Sequence, residues 1–220
     1  MKRKILVPAM LSVLIAVTAC GHKKDSKKKK EASRQDLSAV IEEPVSSEAL
    51  EDITAEWPAP SKEAITAMKD KYGSPSSVTE NMVVWEQTEP FNRTVVFKEQ
   101  INHLFPVQHS DVLMQTVSYR VPLDKVGQLA EFDGSLIVDR TKGTISSRNN
   151  KEEMNILALN LADKIIKGET TVEQARREYK SNAELILAGR TSPLVSKLRF
   201  HSKGNTSDPD TLMQSQEGEY

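Results

Sequence analysis

A single cysteine occurs among 220 residues, and it stands at position 20, ahead of the part expected to fold. Intramolecular disulfides are therefore excluded. If Cys20 is committed to another role, thiolate nucleophiles and cysteine-ligated zinc are excluded from the folded part as well. Aromatic residues amount to 5% and hydrophobic residues to 38%, against 28% charged, which is too polar for the whole chain to pack as one body. Charge of one sign is also scarce. With 30 Lys plus Arg against 31 Asp plus Glu, the net charge of −1 excludes a strongly basic nucleic-acid binder. The longest apolar run, Ile5 to Ala19, contains Pro8 and falls short of the roughly 20 residues a membrane span requires. No Walker loop, Gly-x-Gly-x-x-Gly or Gly-x-Ser-x-Gly is present.

What is present begins at the N-terminus. Lys2-Arg3-Lys4, the apolar run and a small-residue segment before Cys20 have the layout of a secretion signal. Ala16-Val17-Thr18-Ala19-Cys20 resembles the lipobox of bacterial lipoproteins. That resemblance implies a signal peptide over 1–19, cleavage after Ala19, lipidation of Cys20, and a membrane partner contacted through the lipid. Two or three acyl chains hold a protein durably, because each buried methylene contributes about 0.8 kcal/mol. Gly21, where sorted lipoproteins of the inner membrane carry Asp, implies an outer membrane facing the periplasm if the cell has one. Otherwise the outer face of the cell membrane is expected.

Residues 20–57 hold the lysine cluster from Lys23 to Lys30 and then an acidic, serine-containing stretch, with few large apolar groups. Such a segment buries too little surface to offset its ordering entropy, so a disordered tether is expected. Residues 58–201 read as one domain. Helical spacing of Ile65, Met68 and Tyr72 after a Ser61 cap predicts a helix ended by Gly73. Met82–Glu86 with Arg93–Gln100, and Leu136–Arg140 with Thr144–Ser147, predict two hairpins, with a further strand over Val112–Val121. A short helix is expected from Leu123 to Glu131. Asn150 with Glu153, and Thr170 with Glu173, have capping-box spacing before the apolar stripes of two longer helices. The expected fold is α+β, an antiparallel sheet of about five strands packed against two to four helices, followed by a disordered tail over 202–220.

Apart from His201 at its last position, only His103 and His109 lie in the expected domain, flanking Pro106, with Asp111 two residues beyond. A turn at Pro106 would bring two nitrogen ligands and one oxygen ligand together, the number catalytic zinc uses with one position open. Neither spacing matches a helical histidine pair, so ordinary surface histidines are the competing reading. Arg176-Arg177 with Lys180 forms a basic spot suited to a phosphate, or else a solvated helix face in which Glu173 pairs with Arg177. Glu152-Glu153 fits a helix N-terminus, and Trp85 fits the core. Asp208 and Asp210 do not fit a calcium loop, because Leu212 and Met213 fall where a ligand and a glycine are needed.

Lys71-Tyr72-Gly73-Ser-Pro75 followed by Trp85 resembles small outer-membrane lipoprotein modules of the assembly-factor type. Asp124 to Tyr179, with Phe132-Asp133-Gly134-Ser135 and Lys151-Glu-Glu-Met-Asn155, is similar to a domain of uncharacterised bacterial proteins, which implies a shared fold and no stated activity. The sequence thus points to a lipid-anchored envelope protein with a non-catalytic binding or adaptor domain, no cofactor and an envelope-protein or cell-wall partner. The alternative is a small metal-dependent envelope enzyme using His103, His109 and Asp111.

Overall fold

The computed structural model describes residues 45–201, 206 and 208–211. The expected signal peptide, Cys20 and most of the expected tether and tail lie outside the described residues. Among those described, no helix is long and apolar enough to cross a membrane.

The fold is α+β. Six strands, β1 (Ser77–Val78), β2 (Met82–Thr88), β3 (Phe91–His103), β4 (His109–Ser118), β5 (Leu136–Asp139) and β6 (Thr144–Asn149), form one sheet. Their order is β1-β2-β3-β4-β6-β5, and every pair is antiparallel. The expected strands are all present, and the two-residue β1 adds a sixth at the edge.

Among the described residues, five α-helices accompany the sheet: α1 (Ser47–Thr54), α2 (Ala59–Tyr72), α3 (Val126–Phe132), α4 (Glu152–Ile166) and α5 (Val172–Leu187). The folded unit begins earlier than position 58. Ser46 caps α1 by accepting from Ala49 N, and α1 places Leu50 in a core cluster with Trp57. The acidic composition of this stretch hid those two apolar anchors. Ser61 does not cap α2, whose cap position is Pro58. It lies buried in the first turn and donates to the Phe97 carbonyl at 2.8 Å, tying α2 to β3. Gly73, at φ 78°, ends α2 in a conformation that costs glycine nothing, and its carbonyl accepts from Trp85 Nε1 at 2.9 Å. The cap of α4 is Lys151 rather than Asn150, without a side-chain bond. The capping box of α5 is Thr171 with Gln174, one residue beyond the expected pair.

The buried residues form two apolar clusters. One joins α1 and α2 to β2 and β3 through Leu50, Trp57, Met68, Trp85 and Val96. The other surrounds α4 and α5 and includes Leu157, Leu161, Phe132 and Tyr179. A row of buried polar side chains links the two. Asn155 donates to Gln115 Oε1 and the Leu113 carbonyl, and Gln115 donates to Glu152 Oε2 at 2.7 Å. Glu152 also accepts from Tyr72 at 2.7 Å and from Lys71.

After α5 the chain returns over α4, held by one buried amide. Asn160 Nδ2 donates to the carbonyls of Leu194 and Lys197, and its Oδ1 accepts from Arg199 N at 2.7 Å. Described parts of the expected tail also meet the domain. The Thr206 carbonyl occupies the place a side chain on Gly143 would fill, and Asp210 pairs with Arg140.

Candidate metal centre

Three features of the local sequence assemble the site. The first is the turn carrying Pro106, which folds β3 back on β4 so that His103 and His109 are directly paired across the ladder. The second is a register shift in β3. Val96 pairs with Leu113 whereas Ile101 pairs with Asp111, an odd offset that reverses which alternate residues of β3 face the helices. His103 is seven positions beyond Val96, so in a regular strand it would point to the opposite face. The shift instead puts it on the side shared by His109, Asp111, Leu113 and Gln115. The third feature is Asp133-Gly134-Ser135, the turn from α3 into β5. Asp133 Oδ1 accepts from Ser135 N at 2.9 Å, fixing the turn against the hairpin.

The result is a nearly closed polar centre. His103, His109 and Asp111 each offer a ligand atom, and these atoms lie within 4.8 Å of one another. His103 Nδ1 is 3.3 Å from Asp111 Oδ2, and His109 Nε2 is 2.9 Å from Asp111 Oδ1. The imidazole centroids are 5.0 Å apart. Side-chain exposure is 17% for His103, 5% for His109 and 3% for Asp111. Of the three, His103 is the most accessible to solvent.

Around these three stand residues the sequence did not mark for chemistry. Ser135 Oγ donates to Asp111 Oδ2 and lies 3.2 Å from His103 Nδ1. Asp133 is fully buried, with Oδ1 3.8 Å from His103 Nε2. Asn149 Oδ1 is 3.0 Å from His109 Nε2 and accepts from the buried Tyr179 hydroxyl at 3.1 Å. Asp133 and Ser135 had a faint signal, an acid and a hydroxyl around a glycine between a helix and a strand. Asn149 and Tyr179 had none, since a polar strand end and an aromatic on an apolar helix face read as ordinary packing.

Burial and charge compete at each titratable group. Burial raises the Asp111 carboxyl, but both histidines and Ser135 outweigh it and hold the group down at about 2. For His109, burial disfavours the charged ring, while Asp111, the Val107 carbonyl and Asn149 favour it more, and the balance lies above the ordinary histidine value. Burial dominates at Asp133 and pushes its carboxyl up. Burial, with the nearby Asp133 charge, also pushes Tyr179 well above the ordinary phenol.

The other sequence candidates have their polar groups engaged. Arg176 donates to the carbonyls of Glu131 and Phe132 and stacks over Phe105 at 3.7 Å, closing the end of α3 rather than presenting a free phosphate site. Arg177 pairs with Glu173 as expected. Trp85 is core. Glu152 is not a surface dipole partner at the start of α4; it turns inward. A trough of about 400 Å³ runs between α2 and the start of α4, with Met68, Leu113 and Glu152 among its walls. Both Glu152 oxygens there already accept hydrogen bonds. In contrast, Asp111 Oδ1 and Asp133 Oδ2 are buried without a hydrogen-bond donor among the described residues. The space beside His109, walled by Val107, Met154, Ala183 and Ile186, measures only about 50 Å³.

Comparison of the chain with protein-family models, curated proteins and solved structures finds no match. The centre is therefore interpreted from its chemistry alone.

Proposed function

We propose that this protein is a lipid-anchored component of a bacterial cell envelope whose α+β domain binds a metal cation at His103, His109 and Asp111 without transforming a substrate. One observation carries the metal assignment. His109 Nδ1 lies 2.7 Å from the Val107 carbonyl, which only an N–H can satisfy, so in the neutral ring Nε2 bears the lone pair. That lone pair faces two oxygens, Asp111 Oδ1 at 2.9 Å and Asn149 Oδ1 at 3.0 Å. The Asn149 orientation is fixed, because its Nδ2 donates to Ser147 Oγ and Asn155 Oδ1. Three electron-rich atoms converging in a buried site require a positive charge between them, either a proton or a metal ion. A histidine whose far nitrogen donates to a backbone carbonyl is the arrangement metal-ligating imidazoles adopt.

Binding rather than catalysis is favoured by enclosure: the side chains of His109 and Asp111 are only 5% and 3% exposed, and that of His103 17%. The hollow adjoining His109, which neither His103 nor Asp111 lines, is about 50 Å³, whereas small-molecule sites measure roughly 300–1,000 Å³, so it does not hold an organic substrate. The lipobox at Cys20 supports the anchor and the envelope location, and Gly21 supports an outer membrane facing the periplasm. An envelope-protein or cell-wall partner is part of the same proposal.

The test uses the mature protein, stripped with a strong chelator and then dialysed against zinc. One equivalent retained by the native chain and lost in His109→Ala is the expected result. Retention of no cation would sink the metal assignment. Fractionation of cells carrying Cys20→Ser tests the anchor separately: release from the membrane is expected, and unchanged membrane association would refute lipidation there.

A further inference from the structure

The centre contains a second carboxylate that the three-ligand description leaves idle. Asp133 is fully buried, and its only hydrogen bond described is from Ser135 N to Oδ1. Its Oδ2 has no donor among the described residues. Nothing about the Asp-Gly-Ser turn requires an acid, since an asparagine oxygen accepts the same bond from Ser135 N. A fully buried carboxylate retained at such a position calls for a positive partner nearby. Its ion-pair partner among the described residues is His103, whose Nε2 is 3.8 Å from Asp133 Oδ1, an electrostatic contact longer than a hydrogen bond, while its Nδ1 points at Asp111.

Building on the cation site proposed above, we infer that Asp133 is the outer carboxylate of the centre: it holds the proton of His103 on Nε2, so that Nδ1 is the ligating atom, and its charge makes the site one for a divalent transition ion of the zinc type. The arrangement then becomes symmetric in its logic. His109 is oriented by the Val107 carbonyl and ligates through Nε2; His103 is oriented by Asp133 and ligates through Nδ1. Asp111 supplies the oxygen. Two imidazole nitrogens with one carboxylate suit zinc and its neighbours, whereas magnesium and calcium prefer sites made wholly of oxygen. When both carboxylates are ionised they balance the charge of one divalent ion, and the loaded centre is then neutral overall.

Asp133 is accordingly a positioning residue, and Asp133→Asn is the informative change because it keeps the acceptor for Ser135 N and removes the charge. Zinc affinity of the mature protein is measured by competition with a chromophoric chelator, with the thermal midpoint of the stripped protein measured alongside. The expected outcome is a loss of about 10- to 100-fold in zinc affinity, the range found for outer-sphere partners of ligating histidines, with the stripped variant still folded. Wild-type affinity in Asp133→Asn, or native protein binding magnesium or calcium as tightly as zinc, would overturn the inference. A native chain that binds no cation removes the parent proposal as well, and so is distinguishable. If Asp133→Asn fails to fold, nitrogen chemical shifts of the zinc-loaded native protein decide the matter. A metal-bound Nδ1 and protonated Nε2 on His103 are expected, and the reverse assignment refutes the role given to Asp133.

Discussion

Asp111 has the strongest individual consequence for stability. Its carboxyl is held at about 2, against about 3.9 in an unfolded chain, and the residue is 2% exposed. A group depressed in this way contributes stability that is complete above pH 4 and is lost as pH falls toward 2. The whole shift corresponds to roughly 2–3 kcal/mol, of which about 2 kcal/mol is lost by pH 2. Chelator-treated native protein should therefore lose about 2 kcal/mol more than Asp111→Asn between pH 5 and pH 2 in denaturant titrations. His109 carries the opposite sign. Its raised value means that its contribution is complete below about pH 6.5 and disappears as pH rises through its folded value. The same titrations extended to pH 9 should show stripped native protein losing stability that His109→Gln does not lose. Asn160 acts without charge. It satisfies three backbone groups of the segment after α5, so Asn160→Ala should cost about 2–3 kcal/mol in thermal or urea unfolding by leaving those groups unpaired.

At the scale of elements, the register shift between Val96 and Ile101 is what makes the centre possible. It is fastened from the opposite face of the sheet. Arg148 on β6 donates through Nε to the Asp111 carbonyl and through Nη2 to the Glu99 carbonyl, both at 3.1 Å, and lies over Phe97 at 4.3 Å. Arg148→Ala, which touches none of the three ligands' side chains, should weaken zinc binding together with thermal stability. Arg148→Lys should rescue little, because a lysine amine has no fork to reach two carbonyls at once.

This shift also explains what the sequence revealed and what it concealed. The hairpins, the long helices and the approach of His103, His109 and Asp111 around Pro106 were legible, since alternation, helical stripes and a turn residue are local signals. The face on which His103 emerges was not legible, because an odd offset inside Lys98-Glu99-Gln100 leaves no mark in the pattern of apolar residues. Asp133 and Asn149 enter the centre because the β5–β6 hairpin docks on β4, a long-range pairing that no spacing in the chain encodes. The cap of α5 slipped by one residue because Thr170 and Thr171 are both competent, and Gln174 decided between them.

For the molecule as a whole, α1 and Trp57 move the start of the folded body into what composition marked as tether. Leu50 and Trp57 are each 3% exposed in the cluster around Met68 and Trp85. Trp57→Ala should cost about 3–5 kcal/mol, read from the urea midpoint, and a chain trimmed to begin at position 58 should lose more. The domain therefore depends on residues that lie closer in the sequence to the proposed anchor at Cys20 than composition suggested.

The centre also draws on separate stretches of chain: the hairpin of β3 and β4, and the turn before β5. The proposed ion between His103 and Asp111, with Asp133 behind, would rivet these stretches together. A ligand that binds only the folded form stabilises it by about 2.7 kcal/mol at one hundred times its dissociation constant. In the proposed envelope location, survival of the protein against proteases should then follow the local metal supply. Pulse-chase half-lives should shorten when cells grow with an impermeant chelator, and should be indifferent to it in His109→Ala.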